Sequence, residues 1–256
     1  MGVTIQGTPG FTVPDGTFSL SNYNINLPSG IVSGEKLLII VAIKGQVSNT
    51  PISFNTLTAT LKYIWRNGNQ VANCFFLVEA TGSEGSTTGI TVETPGSTAE
   101  PSAVAWRITG WTGNLEADFA SGSSISTINL PSVTPSWGAK DTKWMAYSSN
   151  NAGGRTVTTY PPDYTDTQNM PAPGIGAAQS LAWGWRDLNA TSEDPGSYLW
   201  SAAGNVHGIT VALEPITANN IRIVPDAILA QTNLTGALGT ITDDPDSPDA
   251  SWLVAP

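Results

Sequence analysis

The chain has 256 residues, 20 acidic against 10 basic side chains, and a net charge of −10. A length of this order allows one large β domain whose core needs no metal or disulfide staple. The acidic balance disfavours a nucleic-acid backbone or an anionic membrane surface as partner, and the single Cys74 excludes an intramolecular disulfide.

In chain order, residues 1–11 have neither a basic n-region nor an apolar h-region, so no signal peptide is expected. No apolar stretch is long enough for a membrane-spanning helix, and membrane insertion is not expected. Only 12% of residues are charged, while Gly (26) and Pro (18) are plentiful, which suits a turn-rich β protein. "GEKLLIIVAIKG" is a short β-branched run bounded by glycines and predicts a strand covered on both faces. "TATLKYIWRNGNQVANCFFLVEA" predicts a hairpin with a two-residue type I′ turn at Asn67-Gly68. "PSAVAWRITGW" places Val104, Trp106 and Ile108 on one strand face and Ala103, Ala105 and Arg107 on the other. "TKWMAYSS", "SLAWGWRDL" and "HGITVALEP" predict further strands, the last with His207, Ile209, Val211 and Leu213 on one face. Stretches 82–101, 120–138 and 158–179, rich in Gly, Ser, Thr and Pro, read as loops at the ends of a sandwich. "PDAILAQ" (225–231) reads as the best short helix.

These elements predict an all-β chain: an antiparallel β-sandwich over residues 1–215, of jelly-roll type, followed by an extended C-terminal arm over 216–256. The arm contains four aspartates and two prolines between Asp243 and Asp249 and then the apolar Trp252-Leu253-Val254. The prolines favour an extended backbone and the aspartates keep it solvated. Full burial of a Leu- or Val-sized side chain is worth about 1.5–3 kcal/mol, so the apolar end gains by docking.

Residues able to do chemistry are few. His207 is the one histidine, and its strand position predicts a partly buried ring with a backbone partner. Cys74 lies in an apolar run and reads as an inert core thiol. Glu79, Glu93, Glu100, Glu116, Asp118, Asp163, Asp166, Asp187, Glu193 and Asp194 are available carboxylates, but the sequence pairs no two of them as glycoside hydrolysis requires. "DDPDSPDAS" lacks the spacing, glycine and terminal glutamate of a calcium loop. No catalytic residue, cofactor or metal site is expected. Most of the nine tryptophans should be core; Trp111, Trp137 and Trp200, at strand ends or in loops, could form a platform for sugar rings. "GWRDLNATSEDPGSYLW" brings Trp185 and Tyr198 near Asp187 and Glu193 in sequence, making Trp185, Tyr198 and Trp200 the candidate glycan contacts.

"PDAILAQTNLTGALGTITDDPDSPDASWL" resembles a segment of virion structural proteins of tailed bacteriophages, in which an Asp-Pro-Asp-Ser-Pro-Asp element runs into Trp-Leu after a Gln-Thr-Asn-Leu-Thr-Gly lead-in. The matching residues are Leu229, Gln231 to Gly236, Asp244 to Asp249, Trp252 and Leu253. In those proteins the element leads into another domain; here the sequence stops at Pro256, which favours a terminal anchor over a linker. The front part is similar to phage β-sandwich proteins in style alone. The resemblance implies a non-catalytic subunit on the outer surface of a virion, a capsid decoration (cement) or head-fibre-like protein made in the host cytoplasm. It would be a homo-oligomer, with a trimer favoured, anchored to other capsid or tail subunits through Leu229, Leu234, Trp252, Leu253 and Val254. The alternative expectation is a tail-associated module that binds a receptor or host-surface glycan through Trp185, Tyr198 and Trp200. A glycan-degrading enzyme is the third reading.

Overall fold

The computed structural model describes residues 2–12, 22–44, 52–67, 71–92, 101–172 and 179–217. These residues form fourteen strands and no helix. In the first half they are β1 (Thr4–Thr12), β2 (Asn22–Asn26), β3 (Lys36–Lys44), β4 (Ile52–Phe54), β5 (Ala59–Asn67), β6 (Val71–Glu79), β7 (Thr87–Val92) and β8 (Ser102–Thr109). The second half supplies β9 (Trp111–Asn129), β10 (Lys140–Asn150), β11 (Val157–Thr159), β12 (Thr165–Met170), β13 (Ser180–Ala190) and β14 (Ser197–Pro215). The predicted helix at 225–231 and the arm lie outside the described residues.

All pairings are antiparallel. A five-stranded sheet runs β1-β8-β3-β6-β5, a three-stranded sheet runs β2-β7-β4, and a six-stranded sheet runs β11-β14-β10-β13-β12 with β9 also on β14. The first half of the chain builds the first two sheets and the second half builds the third. The antiparallel β-sandwich expectation holds. A jelly roll sends successive strands across between its sheets, whereas each half of the described chain builds its own sheets, so the jelly-roll part is not confirmed.

The five-stranded sheet lies between the other two, which explains why β3 shows no alternation. Leu38, Ile40 and Ala42 face Met145, Tyr147, Trp183, Ile209 and Val211 of the six-stranded sheet. Leu37, Ile39, Val41 and Ile43 face Ile25, Ile52 and Ile90 of the three-stranded sheet. A strand covered on both sides must be apolar at every position. In β8 the predicted faces hold: Val104, Trp106 and Ile108 join the first core, and Ala103 and Ala105 join the second. Arg107, between them, is held by Glu35. The Glu35 carboxylate accepts from Arg107 Nε at 2.8 Å, from Nη2 at 2.7 Å and from the Val32 N–H at 3.0 Å. The guanidinium holds the Glu35 carboxyl below its ordinary range.

A third core covers the outer face of the six-stranded sheet. β9 and β14 are each 19 residues long and pair from Pro215↔Trp111 to Ser197↔Asn129, with irregularities between Leu199 and Val206. Tyr198, Trp200 and Ile128 pack there with Trp144, Ala146 and Ala212. The bend needs glycine at 204, where a Cβ would stand 2.1 Å from Asn150 Oδ1.

Several local expectations are corrected. Stretches 82–101, 120–138 and 158–179 are not simply loops: they contain β7, the far half of β9, and β12. Threonine and serine alternate there with buried residues, as in TTGITV of β7, and β-branched threonine suits an exposed strand face. In the β5–β6 hairpin Asn67 pairs with Val71, so Asn67 belongs to the strand and residues 68–70 lie between the strands. The two-residue turn would pair Arg66 with Asn69 and change register by three. An odd slip exchanges strand faces, and Phe75 would no longer share a face with Tyr63.

Candidate functional site

Among the described residues, β1 and β12 are edge strands of the five- and six-stranded sheets. Both edges are irregular. The pairing of β1 with β8 slips between Gln6 and Gly10, where Gly7 has φ +64°. The pairing of β12 with β13 slips between Thr165 and Gln168, where Asp166 has φ +48°. Bulges of this kind bend an edge strand and re-aim its side chains, and aspartate is among the few residues that accept a left-handed backbone.

Between these two irregular edges is a cleft of about 240 Å³ lined by Ile5, Gly7, Thr8, Pro9, Trp106, Asp166, Gln168, Trp183 and Trp185. Trp183 and Trp185 alternate along β13 onto the same face, and both stand edge-on to Trp106. The ring centroids are 5.4 Å apart in each pair, with planes at 87° and 89°. The three rings are 1–2% exposed and so offer no broad stacking face. Their N–H groups are notable. Trp111, Trp137, Trp144 and Trp200 donate to Asn114 O, Thr142 Oγ1, Leu188 O and Ser148 Oγ respectively. No described residue accepts from the indole N–H of Trp106, Trp183 or Trp185. The rim is polar and exposed, with Thr8, Asp166 and Gln168. Among the lining residues there is no Lys or Arg.

A second polar group is sealed inside the protein. Tyr147 Oη donates to Asn73 Oδ1 at 2.9 Å, and Asn73 Nδ2 lies 2.5 Å from His207 Nδ1. With the Asn73 amide turned this way, His207 Nδ1 accepts and the neutral ring carries its proton on Nε2, which has no described partner. His207 has no exposed surface. Its partner is a side chain and its burial is complete, where the sequence predicted partial burial and a backbone partner. Burial pushes its pKa down to about 4. Cys74 is a free, buried thiol whose pKa burial pushes up to about 12; it has no character of a nucleophile at neutral pH.

The sequence-predicted residues fall in different places. Trp185 lines the cleft. Tyr198 and Trp200 do not: they belong to the core on the opposite face of the six-stranded sheet, fully or almost fully buried. Tyr198 Oη donates to Ala146 O at 2.9 Å and Trp200 Nε1 to Ser148 Oγ at 3.0 Å. Both polar atoms are thus used in packing, which corrects their assignment as glycan contacts. Trp111 is likewise buried, and Trp137 is half-buried. Asp187 pairs with Lys143 at 2.9 Å on the surface. Glu193 is buried and accepts from Arg186 Nη1 at 2.8 Å and Tyr164 Oη at 3.3 Å. Burial and the Glu193 charge together push the Tyr164 hydroxyl pKa far up. Among the described residues no group of three His, Cys, Asp or Glu side chains could hold a metal. Leu229, Leu234, Trp252, Leu253 and Val254 lie outside the described residues.

Sequence reasoning missed Ile5, Thr8 and Gln168, and held Asp166 only as one carboxylate among those it could not pair. The alternation Trp183-Gly184-Trp185 was visible, but nothing local pairs it with residues 5–9 or 166–168. Compared with known proteins, the chain matches no family model, no curated protein and no solved structure.

Proposed function

We propose that this protein is a non-catalytic structural subunit of a tailed-phage virion, a capsid decoration or head-fibre-like protein anchored through residues 216–256. The observation that carries the reading is the sequence after the last described strand. β14 ends at Pro215, and Ile216 N–H donates to Gly110 O at 2.8 Å. The chain then continues into the segment with Leu229, Leu234 and Trp252-Leu253-Val254, whose apolar end gains free energy by burial on a partner. Support of a second kind comes from the carboxylates. Glu35, Glu79, Asp187, Glu193 and Glu214 pair with Arg107, Lys36, Lys143, Arg186 and Lys140 respectively, so these five carboxylates are engaged in ion pairs. A homotrimer on the outer surface, touching capsid or tail subunits, is the assembly this reading favours.

Electron microscopy of intact particles, labelled with an antibody raised against the sandwich, tests the proposal. Label spread over the head supports a decoration subunit. Label at the tail or its tip supports the alternative, a receptor- or carbohydrate-binding module, for which the tryptophan-lined cleft is the specific observation. Unlabelled particles contradict both.

A further inference from the structure

We propose that the cleft between β1 and β12 is a binding site for one neutral pyranose ring, such as the terminal hexose or N-acetylhexosamine of a surface glycan. The inference does not depend on the arm or on where the protein sits in a particle.

Its size sets the first limit. Small-molecule sites commonly span about 300–1,000 Å³, and this cleft, at about 240 Å³, takes a single ring and leaves the rest of a chain in solvent. The arrangement of donors and acceptors sets the second. Trp106, Trp183 and Trp185 line the cleft, and their indole N–H groups donate to no described residue. An indole nitrogen can only donate, and an ionised carboxylate can only accept. A ligand that contacts Asp166 on the rim must therefore donate, and one that reaches these indole N–H groups must accept. Gln168 and Thr8 can serve as either. A ligand suited to both layers must donate and accept from neighbouring atoms, which is what the hydroxyls of a sugar ring do. Ile5 and Pro9 supply apolar wall for its C–H faces.

The same chemistry excludes competitors. A carboxylated or phosphorylated sugar would meet Asp166 with no lining cation to offset the repulsion. A quaternary ammonium group needs exposed ring faces, but these rings are 1–2% exposed and pack edge-on to each other. It also cannot accept from three N–H groups. The ring would be held at its edge by hydrogen bonds and not by stacking.

The test is titration of the full-length ¹⁵N-labelled protein with methyl glycosides of neutral hexoses and N-acetylhexosamines, reading the indole N–H signals. Saturable shifts of the Trp106, Trp183 and Trp185 signals, with those of Trp111 and Trp200 unmoved, are the expected result. Two variants locate the site. Gln168→Ala removes an exposed rim amide. Asp166→Gly removes the carboxylate at a backbone conformation that glycine adopts freely. Each should weaken binding about tenfold, the loss expected for one charge-assisted or well-formed hydrogen bond, while the far-ultraviolet spectrum and melting temperature stay those of a folded protein. Three results would overturn the proposal: no indole shift with any neutral glycoside, shifts that the variants leave unchanged, or shifts given by choline and not by sugars.

Discussion

His207 should make this protein lose stability in mild acid. The folded-state pKa is about 4, against about 6.5 in an unfolded chain. Below pH 6.5 the unfolded state therefore binds more protons than the folded state. The stabilisation is complete above pH 6.5 and is lost as pH falls toward 4. With one unit worth about 1.4 kcal/mol, the fall between pH 7 and pH 4.5 is about 2 kcal/mol. Geometry reinforces the burial. A proton on Nδ1 would face the Asn73 Nδ2 donor 2.5 Å away, while the Tyr147 hydroxyl at 2.9 Å holds the amide in that orientation. Phe119 and Tyr147 bring no charge to offset the cation. The window is clean because His207 is the chain's only histidine. Urea unfolding from pH 7.5 to 4.5 measures the effect, and His207→Asn is the control, since its Oδ1 can replace Nδ1 as acceptor. The variant should be flat over the window. Wild-type stability that does not change with pH, or a fall of equal size in the variant, would refute the reasoning. Imidazole ¹⁵N shifts should also report the proton on Nε2 at pH 7.

Further outcomes follow from the packing. Glu35→Ala leaves the Arg107 guanidinium with Ser29 O as its remaining acceptor, and should cost about 3 kcal/mol in urea unfolding; because Arg107 holds Glu35 below its ordinary pKa, the wild-type pair contributes above about pH 4.3 and is lost as pH falls through the lower folded value. Gly204→Ala would set a Cβ 2.1 Å from Asn150 Oδ1, and should lower stability by about 1–3 kcal/mol in a thermal melt. Cys74 should resist a thiol reagent at pH 8 in the folded protein and react at once in urea. Tyr198→Phe should cost about 1 kcal/mol through the lost bond to Ala146 O, with no effect on any glycan titration, because the ring is in the outer core.

The class of fold was legible because burial leaves a pattern along each strand. The unbroken apolar run of β3 signalled two covered faces, and the alternation in β8 separated its two cores residue by residue. Strands rich in Thr and Ser were hidden. β7 and β12 carry hydroxyls where the sequence reads as connections, because β-branched threonine serves an exposed strand face as well as a loop. The hairpin register was set by the facing of Tyr63, Trp65 and Phe75 and not by Asn67-Gly68. The cleft was legible only in part. Trp185 was singled out, but Tyr198 and Trp200 lie across the sheet from it, on the face of β14 that alternation shares with Val206 and Ala212 and not with Ile209 and Val211. Asp166 and Gln168 look like loop residues in sequence and become rim groups only once β12 pairs with β13.

The most direct test of the assembly reading is binding of purified full-length protein to particles stripped of it, alongside the double variant Trp252→Ala, Leu253→Ala. Wild-type protein should decorate the particles at a fixed copy number. The variant, with an unchanged thermal melt, should fail to bind or bind at least about a hundredfold more weakly, the loss expected when two apolar anchors are removed. A variant that binds as tightly as wild type would contradict anchoring by the arm.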